Sequence, residues 1–170
     1  ARVIATVEQL SDHRLGKNVV RAKDTPGFIA NHVALHGLVR IFELLAEGDY
    51  TVEEIDAITG AAIGRPKSAT FRTTDIAGLD VLIRVAVDLA VRLPPAQGEY
   101  FVFPPFVAEM QNRGWIGEKA GRGFYERRKT ASGESEIWTL DVKSMEYRPR
   151  RSPVLPALER ELREPQTRDP

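Results

Sequence analysis

Apolar positions in this chain fall into blocks of helical period, separated by glycine and proline. Val3, Ile4, Val7 and Leu10 recur near helical spacing, and Gly16 stops the run, which predicts an amphipathic helix over Ala1 to Leu15. Asn18 to Ala22 is a short β-prone run. Asp24-Thr25-Pro26-Gly27 then breaks the pattern, with Thr25 as a candidate N-cap and Pro26 as a first helical residue, where its missing N–H costs nothing. Phe28 to Glu47 is apolar at so many positions that it reads as a helix buried on most sides, closed by Gly48. Thr51-Val52-Glu53-Glu54 is a capping box for a short helix that runs out into Gly60 to Pro66. Lys67 to Asp75 is polar and donor-rich. Asp80 is then expected to cap a long apolar helix reaching Val91, ended by Pro94-Pro95. A further helix is predicted from Phe106 to Arg113, stopped by Gly114. Beyond it, Gly117, Gly121 and Gly123 mark a turn-rich segment. Ile137 to Leu140 and Met145 to Tyr147 read as two strands of a hairpin. From Arg148 onward proline and charge dominate, with a helix possible around Leu155, Leu158 and Leu162.

Composition narrows the classes. At 170 residues and 42% hydrophobic, the chain can bury a core, so disorder is excluded. Its 24 basic and 24 acidic residues cancel, so no global field draws nucleic acid or an anionic surface. The lack of cysteine removes disulfides, thiolate metal sites and thiol nucleophiles, and fits the cytoplasm. No apolar run is long enough to span a membrane, and the N-terminus has no signal-peptide pattern. Beginning at Ala1, inside a predicted helix, the sequence reads as a processed or excised piece.

Four features carry candidate chemistry. His32 and His36 share a helix face, but Val33 stands where a metalloprotease-type motif needs Glu, and no third ligand is evident; helix histidines are the favoured reading and no metal is expected. Gly121-Arg122-Gly123 has neither the preceding strand nor the following helix of a dinucleotide fingerprint, so these glycines are expected to allow tight turns and close packing. Asn31 is an amide in an apolar helix; buried, it would need a partner, either structural or functional. The stretch holding Lys67, Ser68 and Thr70 is either an anion-contacting patch or a solvated loop.

Read together, the motifs are familiar. Lys23-Asp24-Thr25-Pro26-Gly27-Phe28-Ile29-Ala30-Asn31 resembles the opening of the C-terminal helical domain of NAD-dependent 3-hydroxyacyl-CoA dehydrogenases. The capping-box helix Thr51 to Ile58, the Gly64-Arg65-Pro66 turn, Asp75 to Asp80 and Gly114 to Tyr125 resemble the family's later landmarks in the same order. Ile137 to Asp141 and Tyr147-Arg148-Pro149 resemble the branch fused to an enoyl-CoA hydratase.

The resemblance implies a mainly α fold: a helical dehydrogenase domain over 25–126, preceded by a helix–strand remnant of a Rossmann domain over 1–24. A small β-hairpin over 127–150 and a linker or docking tail over 151–170 complete it. It implies oxidation of L-3-hydroxyacyl-CoA to 3-oxoacyl-CoA in fatty-acid β-oxidation, with NAD bound mainly by an upstream domain that also carries the catalytic His–Glu pair. Asn31 is the catalytic residue that carries over, hydrogen-bonding near the reacting oxygen. Pro66, Lys67, Ser68 and Thr70 occupy the substrate-binding turn, which departs from the family's Met-Gly-Pro type. The implied partners are an acyl-CoA and a second helical domain, as a homodimer or by docking of a paired domain. A non-catalytic docking module is the alternative.

Overall fold

The computed structural model describes residues 2–130 and 133–155. Helix α1 (Arg2–Leu15) ends at Gly16 as expected but buries none of its residues. Arg21 reaches back to Glu8 through two hydrogen bonds of 2.7 and 2.9 Å. Asn18 to Ala22 forms no strand and is exposed throughout. A β-prone run needs a neighbour for its backbone groups, and among the described residues no strand pairs with it.

Helix α2 (Ala30–Glu47) starts later than Thr25 and Pro26 suggested, and no side chain caps it. Gly27 and Phe28 both take positive φ, at 76° and 47°, which diverts the chain through a turn before the helix can begin. Nor is α2 buried on most sides. Leu35, Val39, Phe42 and Leu45 form one inward stripe, while Phe28 and Ile29 of the preceding turn, with Val33 and Leu44 of the helix, remain exposed.

The Thr51–Glu54 capping box opens α3 (Val52–Thr59) as predicted. The polar stretch that follows is no solvated loop. A turn at Pro66–Ala69 leads into α4 (Phe71–Ala77), whose Phe71, Thr74 and Asp75 are buried. The reason lies upstream: Asp56 on α3 accepts the backbone amides of Thr70, Phe71 and Arg72 at 3.0, 2.7 and 3.4 Å, satisfying donors that a helix start leaves free.

Helix α5 (Leu79–Arg92) follows at once. Gly78, at φ 92°, occupies the cap position; Asp80 sits in the first turn and pairs with Lys119 at 2.6 Å. Pro94 ends this segment, and Pro95 begins the short α6 (Pro95–Gly98). Helix α7 (Pro105–Asn112) completes the helical set.

Phe42 is the hub of the main core, with ring centroids of Phe71, Phe103, Phe106 and Phe124 at 5.5, 5.2, 5.9 and 5.2 Å. A second cluster joins Leu35, Ala86, Leu89, Leu93 and Phe101.

The expected hairpin is a three-stranded antiparallel sheet in the order β1-β2-β3, with β1 (Tyr125–Lys129), β2 (Ser135–Asp141) and β3 (Glu146–Pro149). Strand β1 reads YERRK and lacks apolar alternation, and its Arg128, like Arg122 just before the strand, packs on a ring. Arg128 lies 4.1 Å from the Trp138 ring centroid and Arg122 5.4 Å from that of Tyr147, while Glu126 pairs with both arginines. Buried Glu53 ties the sheet's far end to α3, accepting from the Arg148 guanidinium at 2.7 and 2.9 Å and from the Arg151 amide at 3.0 Å. Burial pushes its pKa up, but these donors outweigh that and hold the carboxyl below its ordinary value. The helix expected around Leu158 and Leu162 lies outside the described residues.

Candidate functional site

Asn31 is the second residue of α2 and is exposed. The expectation of a buried amide with a partner inside the fold does not hold, since its side chain makes no hydrogen bond among the described residues. The apolar neighbours that suggested burial are themselves exposed, Phe28 at 62% and Val33 at 70%. The backbone beneath is tightly placed. A Cβ at Gly27 would come within 2.7 Å of Leu89 and 3.3 Å of the Asn31 Cβ, so the turn is packed against α5. Beside it, the His32 Nδ1 lies 2.8 Å from the Phe28 carbonyl oxygen and its ring stands edge-on to Phe101. His36 packs against Tyr100 in the same way. Among the described residues no cluster of potential metal ligands is formed.

The expected substrate turn divides. Pro66 and Lys67 are exposed. The Ser68 hydroxyl accepts from Thr73 at 2.9 Å, and the buried Thr70 hydroxyl donates to Thr59 at 2.8 Å. Asn31 and this turn are not brought together. The Phe71 ring, which follows the turn, packs on Phe42, and Phe42 is about 16 Å along the helix axis from Asn31 at 1.5 Å per residue. Lys67 instead lines a cavity of about 760 Å³ together with Asp56, Tyr125, Arg127 and Arg150. Sequence reasoning missed those four residues, which sheet pairing and the segment after β3 assemble.

The glycine segment is wrapped around Asp75. A Cβ at Gly117 would overlap the Asp75 carbonyl oxygen, and one at Gly123 its carboxylate. That carboxylate accepts the amides of Phe124 and Tyr125 at 2.8 and 2.9 Å. The loop is therefore filled by an acid, which repels phosphate, and a dinucleotide does not fit there.

Burial drives the Asp75 pKa from its ordinary 3.8 up to about 6, more than the two amides lower it. A carboxyl whose folded pKa is raised contributes stability below its unfolded pKa and loses it as pH rises through the folded value. Between pH 3.8 and about 6, Asp75 should thus withdraw about 3 kcal/mol. Urea midpoints of wild type and Asp75→Asn check this: the wild-type advantage should be larger at low pH and shrink toward neutrality. An advantage that is constant with pH would contradict it.

The family model for the 3-hydroxyacyl-CoA dehydrogenase C-terminal domain matches residues 27–127. A probable 3-hydroxyacyl-CoA dehydrogenase from Bacillus subtilis is 42% identical over 157 residues, 92% of this chain and 19% of the relative. A probable 3-hydroxyacyl-CoA dehydrogenase from Deinococcus radiodurans is 39% identical over 75% of this chain and 36% of its own length. The crystal structure of FadB2 from M. tuberculosis superposes with a TM-score of 0.60 at 32% identity, covering 72% of this chain and 41% of that one. The chain thus spans well under half the length of each. With the ordered motifs, the helical body and the matched span in agreement, the chain belongs to the 3-hydroxyacyl-CoA dehydrogenase family and carries its C-terminal domain.

Proposed function

We propose that this chain is the helical part of an enzyme that oxidises L-3-hydroxyacyl-CoA to 3-oxoacyl-CoA in fatty-acid β-oxidation. In that reaction a hydride leaves the hydroxyl-bearing carbon and a proton leaves its oxygen, with NAD taking the hydride in a domain outside this chain. The observation that carries the reading is Asn31, whose uncommitted amide is exposed at the start of α2, where Phe28, Ile29 and Val33 are exposed as well. Such exposed apolar residues suit a second domain, and an amide held there on a packed turn is preorganised to hydrogen-bond near the reacting oxygen and a histidine of that domain.

Residues 1–24 are read as the end of that NAD-binding domain, 25–126 as the helical domain, 127–150 as its sheet extension and 151–170 as a linker or docking tail. The parent protein is read as cytoplasmic and of the branch fused to an enoyl-CoA hydratase. The turn at Pro66 to Thr70 shapes the acyl pocket from a paired helical domain, since Asn31 of the same chain lies too far along α2. On this reading the exposed Val81, Val87 and Val91 of α5 support self-association. Light scattering at high concentration should give a mass above that of one chain, and a strictly monomeric mass would remove this element.

The functional reading itself is tested with the chain alone. Mixed with NAD and an L-3-hydroxyacyl-CoA, it should give no rise in NADH absorbance, because hydride transfer needs a positioned cofactor. Turnover by this chain would show that the chemistry lies within it.

A further inference from the structure

The cavity holding Lys67 lies between α3, the turn before α4, β1, β2 and the segment after β3. Its volume of about 760 Å³ is that of a small-molecule site. Three of the four carboxylates in its wall are neutralised by arginines, and the fourth, Asp56, is held by neutral donors on the α3 side. Glu53 holds Arg148, Asp56 accepts three amides and the Tyr125 hydroxyl, Glu118 pairs with Arg72, and Glu126 pairs with Arg122 and Arg128. Three cations of the same wall, Lys67, Arg127 and Arg150, have no carboxylate partner among the described residues.

Sheet register sets their spacing. Arg127 is the cross-strand partner of Ile137, and the Arg150 amide donates to the Ile137 carbonyl at 3.1 Å. An isoleucine is thus flanked by a cation on each side across the sheet. The Arg150 guanidinium lies 5.5 Å from the Tyr125 ring centroid, and Ala57 and Pro153 add apolar wall. Uncommitted cations beside an apolar surface select an anion attached to a flat, weakly polar body. Ile137, Arg150 and Pro153 lie beyond the span that the family model matches.

We propose that this cavity binds a phosphate-bearing nucleotide, its phosphate held by Lys67, Arg127 and Arg150 and its base laid against Ile137 beside the Arg150–Tyr125 stack. The site is separate from Asn31 but shares Lys67 with the turn that the proposed function gives to an acyl pocket, so a coenzyme A headgroup here would rest on that reading while a free nucleotide would not.

Isothermal titration of the 170-residue chain with adenosine 3′,5′-bisphosphate, ADP and inorganic phosphate tests it. At least one nucleotide should bind at submillimolar concentration, and phosphate at least about tenfold more weakly, since it cannot use the apolar wall. Preference for the bisphosphate would identify the coenzyme A headgroup as the source, and preference for ADP a free nucleotide. Arg127→Ala and Arg150→Ala should each weaken binding about tenfold, the loss expected for one charge-assisted contact. Both side chains are exposed, so circular dichroism should stay unchanged. Asn31→Ala should leave binding intact. The proposal is overturned if no nucleotide binds at millimolar concentration, if phosphate binds as tightly as the nucleotides, or if the arginine variants bind like wild type. Loss of binding in Asn31→Ala would overturn it too.

Discussion

Gly123→Ala should destabilise the chain by about 4 kcal/mol, lowering its melting temperature by roughly 10 °C. The added methyl would overlap the Asp75 carboxylate, which is 2% exposed and has no free space to retreat into. Moving it aside breaks the two amide hydrogen bonds that hold Phe124 and Tyr125. Phe124 belongs to the Phe42 core and Tyr125 begins β1, so helical core and sheet would loosen together. Gly121→Ala is the control. Unlike Gly123, that glycine has positive φ, at 73°, but it meets nothing within 4 Å, so only backbone strain of about 1 kcal/mol is expected. If Gly123→Ala melted no earlier than Gly121→Ala, the packing of the glycine segment around Asp75 would not matter to the fold.

Asn31→Ala should have the opposite signature. The side chain is exposed and unpaired, so thermal melts of the chain should shift by less than about 0.5 kcal/mol in stability. In the full-length protein the same change should cost roughly a hundredfold in turnover, about 3 kcal/mol, as loss of one preorganised donor does. A buried structural amide predicts the reverse, an earlier melt with normal turnover in the folded fraction. That result would remove the one catalytic residue assigned to this chain.

Local signals were the legible ones. Thr51 and Glu54 bond each other three residues apart, so the start of α3 can be read directly. The start of α4 cannot, because its cap is Asp56, fourteen residues before Thr70, and only the fold brings them together. Strand β1 escaped notice because Arg128 is satisfied by Trp138 and Glu126 rather than by an apolar face. Conversely, Asn18 to Ala22 has strand composition without a neighbour to pair with. The apolar count of α2 overstated its burial, since Val33 and Leu44 are exposed together with Phe28 and Ile29 just before it. Asn31 stood out as an amide in an apolar run and its role came from its motif, but neither signal says anything of exposure. The cavity was not legible at all: register brings Arg127 and Arg150 to Ile137, and only the packing of the turn before α4 adds Lys67 to the same wall.

We propose that this chain serves the oxidation of a 3-hydroxyacyl-CoA. This is tested most directly by NADH formation from the purified full-length protein supplied with NAD and an L-3-hydroxyacyl-CoA, with the D enantiomer as control. NADH should form in an amount equal to the 3-oxoacyl-CoA, from the L form alone. A folded full-length protein that forms no NADH from either short or long L-substrates would contradict it.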